Sequence, residues 1–413
     1  MKLITDLHIH GRFSRACSKN LDFANLEKYA RIKGIHLMGT GDFSHPKWGK
    51  EIRTDLEEKE KGIYRTKTGF PFLLTNEISL MYSQGGKGRR VHLVLFAPNL
   101  DVVDQITDYL KSLGRIDYDG RPIFGKSVME VTESLKAISR DIEIIPAHAW
   151  TPWFGILGSK GGFDSMEEAF GDQVKHIHAL ETGLSSDPPM NWRVSSLDKF
   201  SLLSFSDLHS YWPWRIGREA TIFDLKKLNY ANLIKAIRSK KGLEGTIEVE
   251  PAYGKYHWDG HRKCGVVLNP KQTKKANGIC PNCKRALTIG VEYRVEEMAD
   301  RKEGFVLKGG KKFWKLLPLS ELISAVYDVG VGSKTVEGVY NKLIKKFENE
   351  FDILLNVEKN KLVDANEKLA DVIIKNREGK IKVEPGYDGV YGKLKDIEKI
   401  KVRNRQKGLG DFS

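Results

Sequence analysis

Histidine and acidic residues recur at one kind of position in the first half of the chain, at or just after the end of a short apolar run. They are His8, His10, Asp42, His45, Glu77, His92, His148, Glu181, Asp207 and His209. Alternation along a strand places His8 and His10 on one side, and likewise Asp207 and His209. Imidazole and carboxylate groups bind Zn²⁺, Mn²⁺ or Fe²⁺, and these donors are too many for a single four-coordinate ion. The sequence therefore predicts a site for two or three divalent metals.

The apolar runs that carry these residues predict strands over residues 3–9, 35–41, 72–80, 91–96, 142–148, 177–182 and 202–206. Amphipathic segments between them, such as 21–32, 102–113 and 128–138, predict helices. Repeated strand and helix units favour a βα barrel of seven or eight strands, in which the strand ends share one face. That face would hold the metals.

The length of 413 residues exceeds a usual single domain. We expect an α/β barrel over residues 1–245, a cysteine-bearing module over 246–300, a Lys-rich helical region over 301–385 and a flexible basic tail over 386–413. A turn at 83–88 would join the third and fourth strands as a hairpin tip.

Composition restricts the partners and the compartment. The chain has 68 Lys and Arg against 54 Asp and Glu, a net charge of +14 that favours a polyanion such as nucleic acid. Four cysteines argue against a disulfide framework and suit a reducing cytosol. No stretch reaches the ~20 apolar residues of a membrane span, and no signal peptide is recognisable. A cytoplasmic protein without a membrane partner is expected.

The order of these motifs resembles the PHP (polymerase and histidinol phosphatase) metallophosphoesterase family. The matching residues are His8, His10, Asp42 with Gly41, Glu77, His92, His148, Asp207 and His209. The resemblance implies a distorted seven-stranded βα barrel with three metals. It also implies that Glu77 bridges one metal held with His8, His10 and Asp207 to a second held with His92 and His148, while His209 helps hold a third.

One position departs from the family pattern. Many PHP members have a histidine directly after the aspartate of the second motif, where this chain has Phe43. Either His45 or Asp42 itself could supply the missing ligand. The number of active-site metals, two or three, and their identity, zinc or else magnesium or manganese, therefore stay open.

Three stretches, 39–46, 180–192 and 255–283, resemble archaeal DNA repair nucleases within that family. The resemblance implies a metal-dependent endonuclease that cuts DNA on the 5′ side of a deaminated base (uracil, hypoxanthine or xanthine) or an abasic site. Phosphodiester hydrolysis needs an activated water and charge relief on the phosphate, which two or three metals supply. We expect Asp207 and Glu77 to act in catalysis, with Glu181 orienting the ligands or positioning water.

Basic and aromatic side chains near the strand ends are candidate DNA contacts. Arg12, Arg193 and Arg218 could each bind a phosphate through two hydrogen bonds. Tryptophans in the loops after the strands suggest a wall for an extruded base or a wedge in the duplex, although each alone is more often a packing residue. These are Trp150, Trp153, Trp192, Trp212 and Trp214.

The segment from His261 to Cys283 has the spacing of a structural zinc site. Cys280 and Cys283 form a Cys-x2-Cys pair, and Cys264 is the third ligand. The fourth is expected to be His261, with His257 as the alternative.

The end of the chain resembles the PIP box that docks on the sliding clamp PCNA. Gln406, Leu409 and Phe412 match that pattern, although its second aromatic residue is absent. Residues 330–335 lack the glycine that precedes lysine in a P-loop, and they fit the turn of a helical hairpin better.

Two other functions compete with a DNA endonuclease. A phosphomonoesterase acting on a small molecule would share the metal site, but it leaves the cysteine module, the basic helical region and the clamp-like tail unexplained. A non-catalytic lesion-binding protein would need the metals only for stability, whereas structural zinc sites are usually closed and mononuclear.

Overall fold

A computed structural model describes residues 1–399. Its strands are β1 (Lys2–Asp6), β2 (Leu37–Gly39), β3 (Glu57–Glu60), β4 (Ile63–Arg65), β5 (Pro71–Leu73), β6 (Thr75–Gln84), β7 (Lys87–Phe96), β8 (Ile123–Phe124), β9 (Glu143–Pro146), β10 (Ala179–Glu181), β11 (Ser201–Leu203), β12 (Ala220–Asp224), β13 (Leu243–Glu248), β14 (Asp259–His261), β15 (Val266–Leu268), β16 (Lys312–Lys315), β17 (Lys382–Glu384) and β18 (Lys393–Lys395). Each apolar run that predicts a strand within residues 1–245 overlaps at least one strand, and the run 72–80 overlaps both β5 and β6.

The helices are α1 (Phe23–Lys33), α2 (Pro46–Asp55), α3 (Leu100–Leu113), α4 (Val128–Ile138), α5 (Met166–Phe170), α6 (Pro188–Trp192), α7 (Tyr230–Ser239), α8 (Pro270–Lys275), α9 (Val291–Met298), α10 (Leu319–Tyr327), α11 (Lys334–Phe347), α12 (Glu350–Leu355), α13 (Lys359–Val363) and α14 (Glu367–Arg377). Side-chain caps fix many of their starts, as where Ser127 and Glu130 form a capping box at α4. Within the described part of the chain, none of these helices is long and apolar enough to cross a bilayer.

The barrel is assembled from three sheets, which accounts for its distortion. The largest has the strand order β16-β13-β12-β1-β2-β5-β4-β3, the second has the order β8-β6-β7-β9, and β10 pairs with β11. Strand β1 is parallel to β2 but antiparallel to β12. Aliphatic side chains from these strands and from α7 fill the space inside. The predicted α/β barrel is confirmed, with strands β12 and β13 closing one side.

The barrel extends beyond the boundary predicted at residue 245. Strand β13 runs through that point, and β16 pairs with it in parallel, from Gly245 opposite Lys312 to Glu248 opposite Lys315. A Cβ at Gly245 would lie 2.2 Å from the Lys312 carbonyl oxygen, so the two strands need glycine there. The start of the region predicted as helical therefore contributes an edge strand, which a four-residue run is too short to reveal.

Helices α10 and α11 form the predicted hairpin, and the turn between them ends at Ser333, whose hydroxyl oxygen accepts from the Val336 amide. This region is tied to the barrel by a buried ion pair. Lys33 Nζ lies 2.6 Å from Glu350 Oε1 and donates to the Pro213 carbonyl at 2.9 Å. Glu350 also accepts from the Leu319 amide and the Tyr340 hydroxyl. The carboxylate therefore organises three helices around one barrel lysine.

The C-terminal segment forms paired strands within residues 382–395, where its composition predicts flexibility from residue 386. Strands β17 and β18 form an antiparallel hairpin. Its connection pairs by backbone hydrogen bonds with residues 252–258, for example Trp258 N to Gly386 O at 3.0 Å. Such long-range pairing leaves no local signal in the sequence. We call residues 382–395 the C-terminal hairpin.

Candidate metal centre and cleft

Two groups of potential metal ligands meet at Glu77 on β6. The first comprises His8, His10, Glu77 and Asp207, and the second comprises Glu77, His92 and His148. Within each group the ligand atoms all lie within 4.8 Å of one another. The elements that carry them are β6 and β7 and the segments after β1, β9 and β11. The sequence thus brings residues from five parts of the chain to one end of the barrel.

The Glu77 carboxylate is the shared centre. Its Oε1 atom lies 2.8 Å from His92 Nδ1 and 3.3 Å from His148 Nε2, and its Oε2 atom lies 3.2 Å from His10 Nε2. Burial raises the pKa of such a carboxyl, but the charges of His92 and Arg121 hold the pKa of Glu77 well below its usual value. Glu77 is an ionised, fully buried group.

The donor set fits divalent metal ions. Glu77 Oε1 and His8 Nε2 are buried and have no hydrogen-bond partner among residues 1–399. Buried polar atoms in native proteins are normally satisfied, so these two ligand atoms, 3.6 Å apart, are placed to bind one cation together. Imidazole and carboxylate donors suit zinc or manganese, and a carboxylate shared by both groups suits a pair of ions.

Glu181 and Asp42 hold the far nitrogens of two of these histidines. The Glu181 carboxylate lies 2.9 Å from His8 Nδ1 and accepts from the His148 amide at 2.8 Å. Asp42 Oδ1 lies 3.0 Å from His10 Nδ1, while Oδ2 accepts from the Gly11 amide and the Ser14 hydroxyl at 2.7 Å each. Such partners fix the ring orientation and tautomer of metal-binding histidines. Both acids orient ligands, which for Asp42 differs from the metal contact we expect from the sequence.

His45 and His209 belong to neither ligand group. The His45 ring stacks on Phe13 with centroids 4.9 Å apart, and its Nε2 atom lies 3.3 Å from the Asp117 carbonyl oxygen. The His209 ring lies 4.6 Å from that of His10, and His209 Nδ1 lies 2.9 Å from the Asp207 carbonyl oxygen. His209 lines the cleft beside the metal centre, whereas His45 does not line it.

Backbone strain is concentrated at this centre. Asp42, His148 and Asp207 have φ angles of 43°, 31° and 48°, in the left-handed region that side chains other than glycine and asparagine rarely adopt. Asp6 accepts from the Ser206 amide, and Arg218 donates twice to the Ser206 carbonyl, which fixes the residue before Asp207. Strained conformations of this kind persist where the surroundings hold them, most often at functional sites.

An open cleft of about 850 Å³ leads to the metal centre. One wall comes from the barrel, including His92, His148, Asp207 and His209. The opposite wall comes from Lys255 and Tyr256 and from Tyr391 of the C-terminal hairpin, none of which the sequence identified. The Lys255 ammonium lies 4.8 Å from the centre of the Tyr391 ring. The cleft is therefore lined by cationic and aromatic groups.

Of the three arginines predicted to bind phosphate, only Arg218 lines the cleft, and its guanidinium already holds Ser206. Arg12 pairs with Glu51 at 2.6 Å, and Arg193 pairs with Glu296. Arg121 does line the cleft, and its Nη1 atom lies 3.0 Å from Glu77 Oε2. It lies in the loop between α3 and β8, away from any predicted strand end, so the pattern of strand ends did not include it.

The five tryptophans divide by burial. Trp150 is fully buried and donates to Asn191 Oδ1, and Trp192 is nearly so, which makes both of them packing residues. Trp153 lines the cleft and packs against Tyr256. Trp212 and Trp214 stack in parallel with centroids 5.4 Å apart, and Trp212 is 41% exposed. Trp153 and Trp212 are thus the tryptophans placed to meet a ligand in the cleft.

The cysteine module brings together the four predicted ligands. Potential ligand atoms of His261, Cys264, Cys280 and Cys283 all lie within 4.8 Å of one another. Although burial opposes it, the backbone amides of Cys283 and Asn282 lower the pKa of Cys280 to about 6, which favours the thiolate that zinc binds. His257 instead lies 3.4 Å from Glu292. Asp388 of the C-terminal hairpin accepts from the Arg262 amide and the Thr288 hydroxyl, which ties the module to the cleft wall.

Replacing Cys283 by serine is expected to remove one zinc per chain and to lower the melting temperature, because a structural zinc contributes folding energy directly. Elemental analysis and calorimetry on the purified full chain measure both. Cys17→Ser serves as the control, since Cys17 lies outside the module. An unchanged zinc content in the Cys283 variant would contradict the assignment.

Comparison with known proteins identifies a family model and two relatives that are similar to this chain. A family model described as the MJ0043 C-terminal domain matches residues 318–380. The uncharacterized protein MJ0043 of Methanocaldococcus jannaschii is 33% identical over 252 residues, which cover 60% of this chain but only 31% of that relative. The uncharacterized protein YqxK of Bacillus subtilis is 29% identical over 417 residues, 95% of this chain and 99% of that protein.

Two crystal structures match the whole fold. The lesion-specific endonuclease Q of Pyrococcus furiosus is 30% identical with a TM-score of 0.86, covering 98% of this chain and 99% of that one. Endonuclease Q in complex with a 27-mer duplex substrate that has an abasic lesion at the active site is 31% identical with a TM-score of 0.87, covering 98% and 100%.

Proposed function

Because the chain belongs to the endonuclease Q family, we propose that it is a metal-dependent DNA repair endonuclease that cuts on the 5′ side of a deaminated base or an abasic site. The observation that carries the proposal is Glu77, an ionised carboxylate shared by two ligand groups at the base of an open cationic cleft. A solved relative holds a duplex with an abasic lesion at its active site. The structural match with that relative covers 98% of this chain.

Different residues of the site would bind the metals, orient the ligands and bind the DNA. We assign His8, His10, Glu77 and Asp207 to one metal, and Glu77, His92 and His148 to another, with His209 beside them for a third. Bound zinc, magnesium or manganese would activate the attacking water and neutralise charge on the phosphate. Glu181 and Asp42 keep the Nε2 atoms of His8 and His10 directed at the centre. The remaining polar groups of the cleft are left to bind and orient the DNA.

A nicking assay on labelled duplexes tests this function. Otherwise identical duplexes would carry uracil, hypoxanthine, xanthine, an abasic site or an undamaged base, and gels would show the position of each cut. A cut on the 5′ side of the lesion, with the undamaged duplex intact, supports the proposal. Hydrolysis of p-nitrophenyl phosphate with every duplex intact would favour a phosphomonoesterase instead, and lesion binding without any cut would favour a sensor protein.

We also propose that the lesion leaves the base stack on binding. A metal centre at the bottom of a cleft cannot reach a phosphate in an undistorted duplex, and Trp153, Trp212, Tyr256 and Tyr391 offer aromatic surface at the cleft or beside it. Stacking of a base on an aromatic side chain contributes ~1–3 kcal/mol. Damaged or missing bases cost least to extrude, which gives selectivity for lesions without reading the flanking sequence.

The fluorescence of 2-aminopurine placed beside a uracil should rise when the Asp207→Asn variant binds the duplex, because the probe loses its stacking partner. This variant lacks one of the proposed metal ligands and is expected not to cut the duplex. Adding Trp212→Ala should weaken binding by about 1–3 kcal/mol. The same probe in an undamaged duplex is the control. An unchanged signal at saturating protein would show that the duplex stays stacked.

Contact with the sliding clamp PCNA remains a proposal from sequence alone. Gln406, Leu409 and Phe412 lie outside the described residues. A short docking peptide of this composition binds by folding onto its partner, so the proposal requires no preformed structure in residues 406–413.

A further inference from the structure

Arg121 is held against the metal centre by a tightly built loop. Asp119 accepts from the amides of Arg15 and Arg121 at 3.2 Å each, which ties the loop's last turn to the segment between β1 and α1. A Cβ at Gly120 would lie 2.2 Å from Asp42 Oδ2 and from Ser14 Oγ, so the backbone touches the residues that orient His10. The backbone that carries Arg121 is therefore packed against the residues that orient His10.

The guanidinium of Arg121 uses only one of its N–H groups in a hydrogen bond to the described part of the chain. Its Nη1 atom lies 3.0 Å from Glu77 Oε2, and this is its one side-chain hydrogen bond within residues 1–399. The side chain is 24% exposed and forms part of the cleft wall. A guanidinium carries five N–H donors in a rigid fork that matches phosphate geometry. The donors that Glu77 does not use therefore belong to a side chain that lines the cleft.

Arg121 and a metal pair compete for the same carboxylate. Divalent cations held by the two ligand groups would neutralise the Glu77 charge that attracts Arg121 and would repel the guanidinium. The loop prevents Arg121 from withdrawing far. A phosphate in the cleft would then offer Arg121 a new anionic partner beside the carboxylates of Asp207 and Asp119.

We infer that Arg121 binds a nonbridging oxygen of the scissile phosphate and is a catalytic residue of the nicking reaction, an inference that rests on the proposed function. Its role is electrostatic, because arginine neither gives up nor takes a proton at physiological pH. A fixed donor aimed at an oxygen that gains charge in the transition state stabilises that state more than the ground state. DNA affinity would depend on Arg121 much less than the cleavage rate does.

Arg121→Gln, Arg121→Lys and the control Arg115→Gln test this role. Arg115 lies on the same loop but is paired with Asp117 and does not line the cleft. In single-turnover nicking of an abasic duplex, Arg121→Gln should lower the rate by about 100-fold or more, as for loss of one fixed transition-state donor. Arg121→Lys should recover part of the rate, and Arg115→Gln should match the wild type.

Two further measurements do not depend on nicking. Elemental analysis should give the same metal content for all four proteins, and calorimetric binding of inorganic phosphate to the metal-loaded chain should weaken at least ~10-fold in Arg121→Gln, the loss of one charge-assisted pair. Metal loss in that variant would overturn the inference, because Arg121 would then serve Glu77. Wild-type nicking and phosphate affinity in that variant would overturn it as well.

The proposed endonuclease function and the proposed role of Arg121 would be refuted by different results. A wild-type chain that leaves every lesion-bearing duplex intact would refute the proposed function. The phosphate titration of Arg121→Gln against the wild type would still decide whether Arg121 binds a phosphoryl group in this cleft.

Discussion

Glu77→Gln should lower nicking by well over ~100-fold, since replacing a residue that merely orients a metal ligand already costs 10–100-fold. Glutamine removes the charge that both ligand groups share, and both metals should then be lost or weakly held. DNA binding should persist, because affinity comes largely from phosphate contacts spread over the surface. Single-turnover nicking, elemental analysis and a binding assay on the same preparation separate these effects.

A graded series makes the test sharper. Glu181→Gln, which alters only the support of His8 and His148, should fall between the wild type and Glu77→Gln. Glu133→Gln, on the exposed face of α4, should match the wild type. If Glu77→Gln keeps its metals and cuts within tenfold of the wild-type rate, the shared carboxylate is not the centre of the reaction.

Lys33→Met should destabilise the chain by about 3–5 kcal/mol, the cost of leaving one buried charge without its partner. Glu350 would remain buried with only the Leu319 amide and the Tyr340 hydroxyl to stabilise its charge. The change should appear as a lower urea midpoint. The Pro213 carbonyl loses its donor too, so the loop with Trp212 and Trp214 should loosen and lesion binding should weaken.

The double variant Lys33→Met with Glu350→Gln should be more stable than Lys33→Met alone, because the neutral amide keeps an acceptor for Leu319 and Tyr340. Lys59→Met, which breaks an exposed pair with Glu57, should leave the midpoint unchanged. A Lys33→Met midpoint equal to that of the Lys59 control would show that the buried pair does not hold the helical region to the barrel.

The sequence predicted what local patterns encode. Apolar runs ending on donors predicted both the strands and the convergence of His8, His10, Glu77, His92, His148 and Asp207, because strand ends in a barrel share one face. The helical hairpin at 319–348 followed from two helical runs separated by residues 330–335, which lack the glycine of a P-loop. The cysteine spacing likewise anticipated which four side chains would meet.

The features of the site that the sequence did not predict depend on contacts between distant segments of the chain. Arg121, Lys255 and Tyr391 come from irregular loops with no period, so only the folded chain brings them to the cleft. The burial of Trp150 depends on a hydrogen bond to Asn191, forty-one residues further on. The position of Asp42 behind His10 depends on the loop between α3 and β8 that packs against it.

The course of the C-terminal hairpin has a consequence for how the molecule is made. The ligand-bearing strands leave the ribosome before Tyr391 and before Asp388, which braces the cysteine module. A chain cut before these two residues would keep every donor around Glu77 but would lack part of the wall of the cleft. The part of the cleft that would grip a duplex is therefore completed after the part that carries the metal ligands.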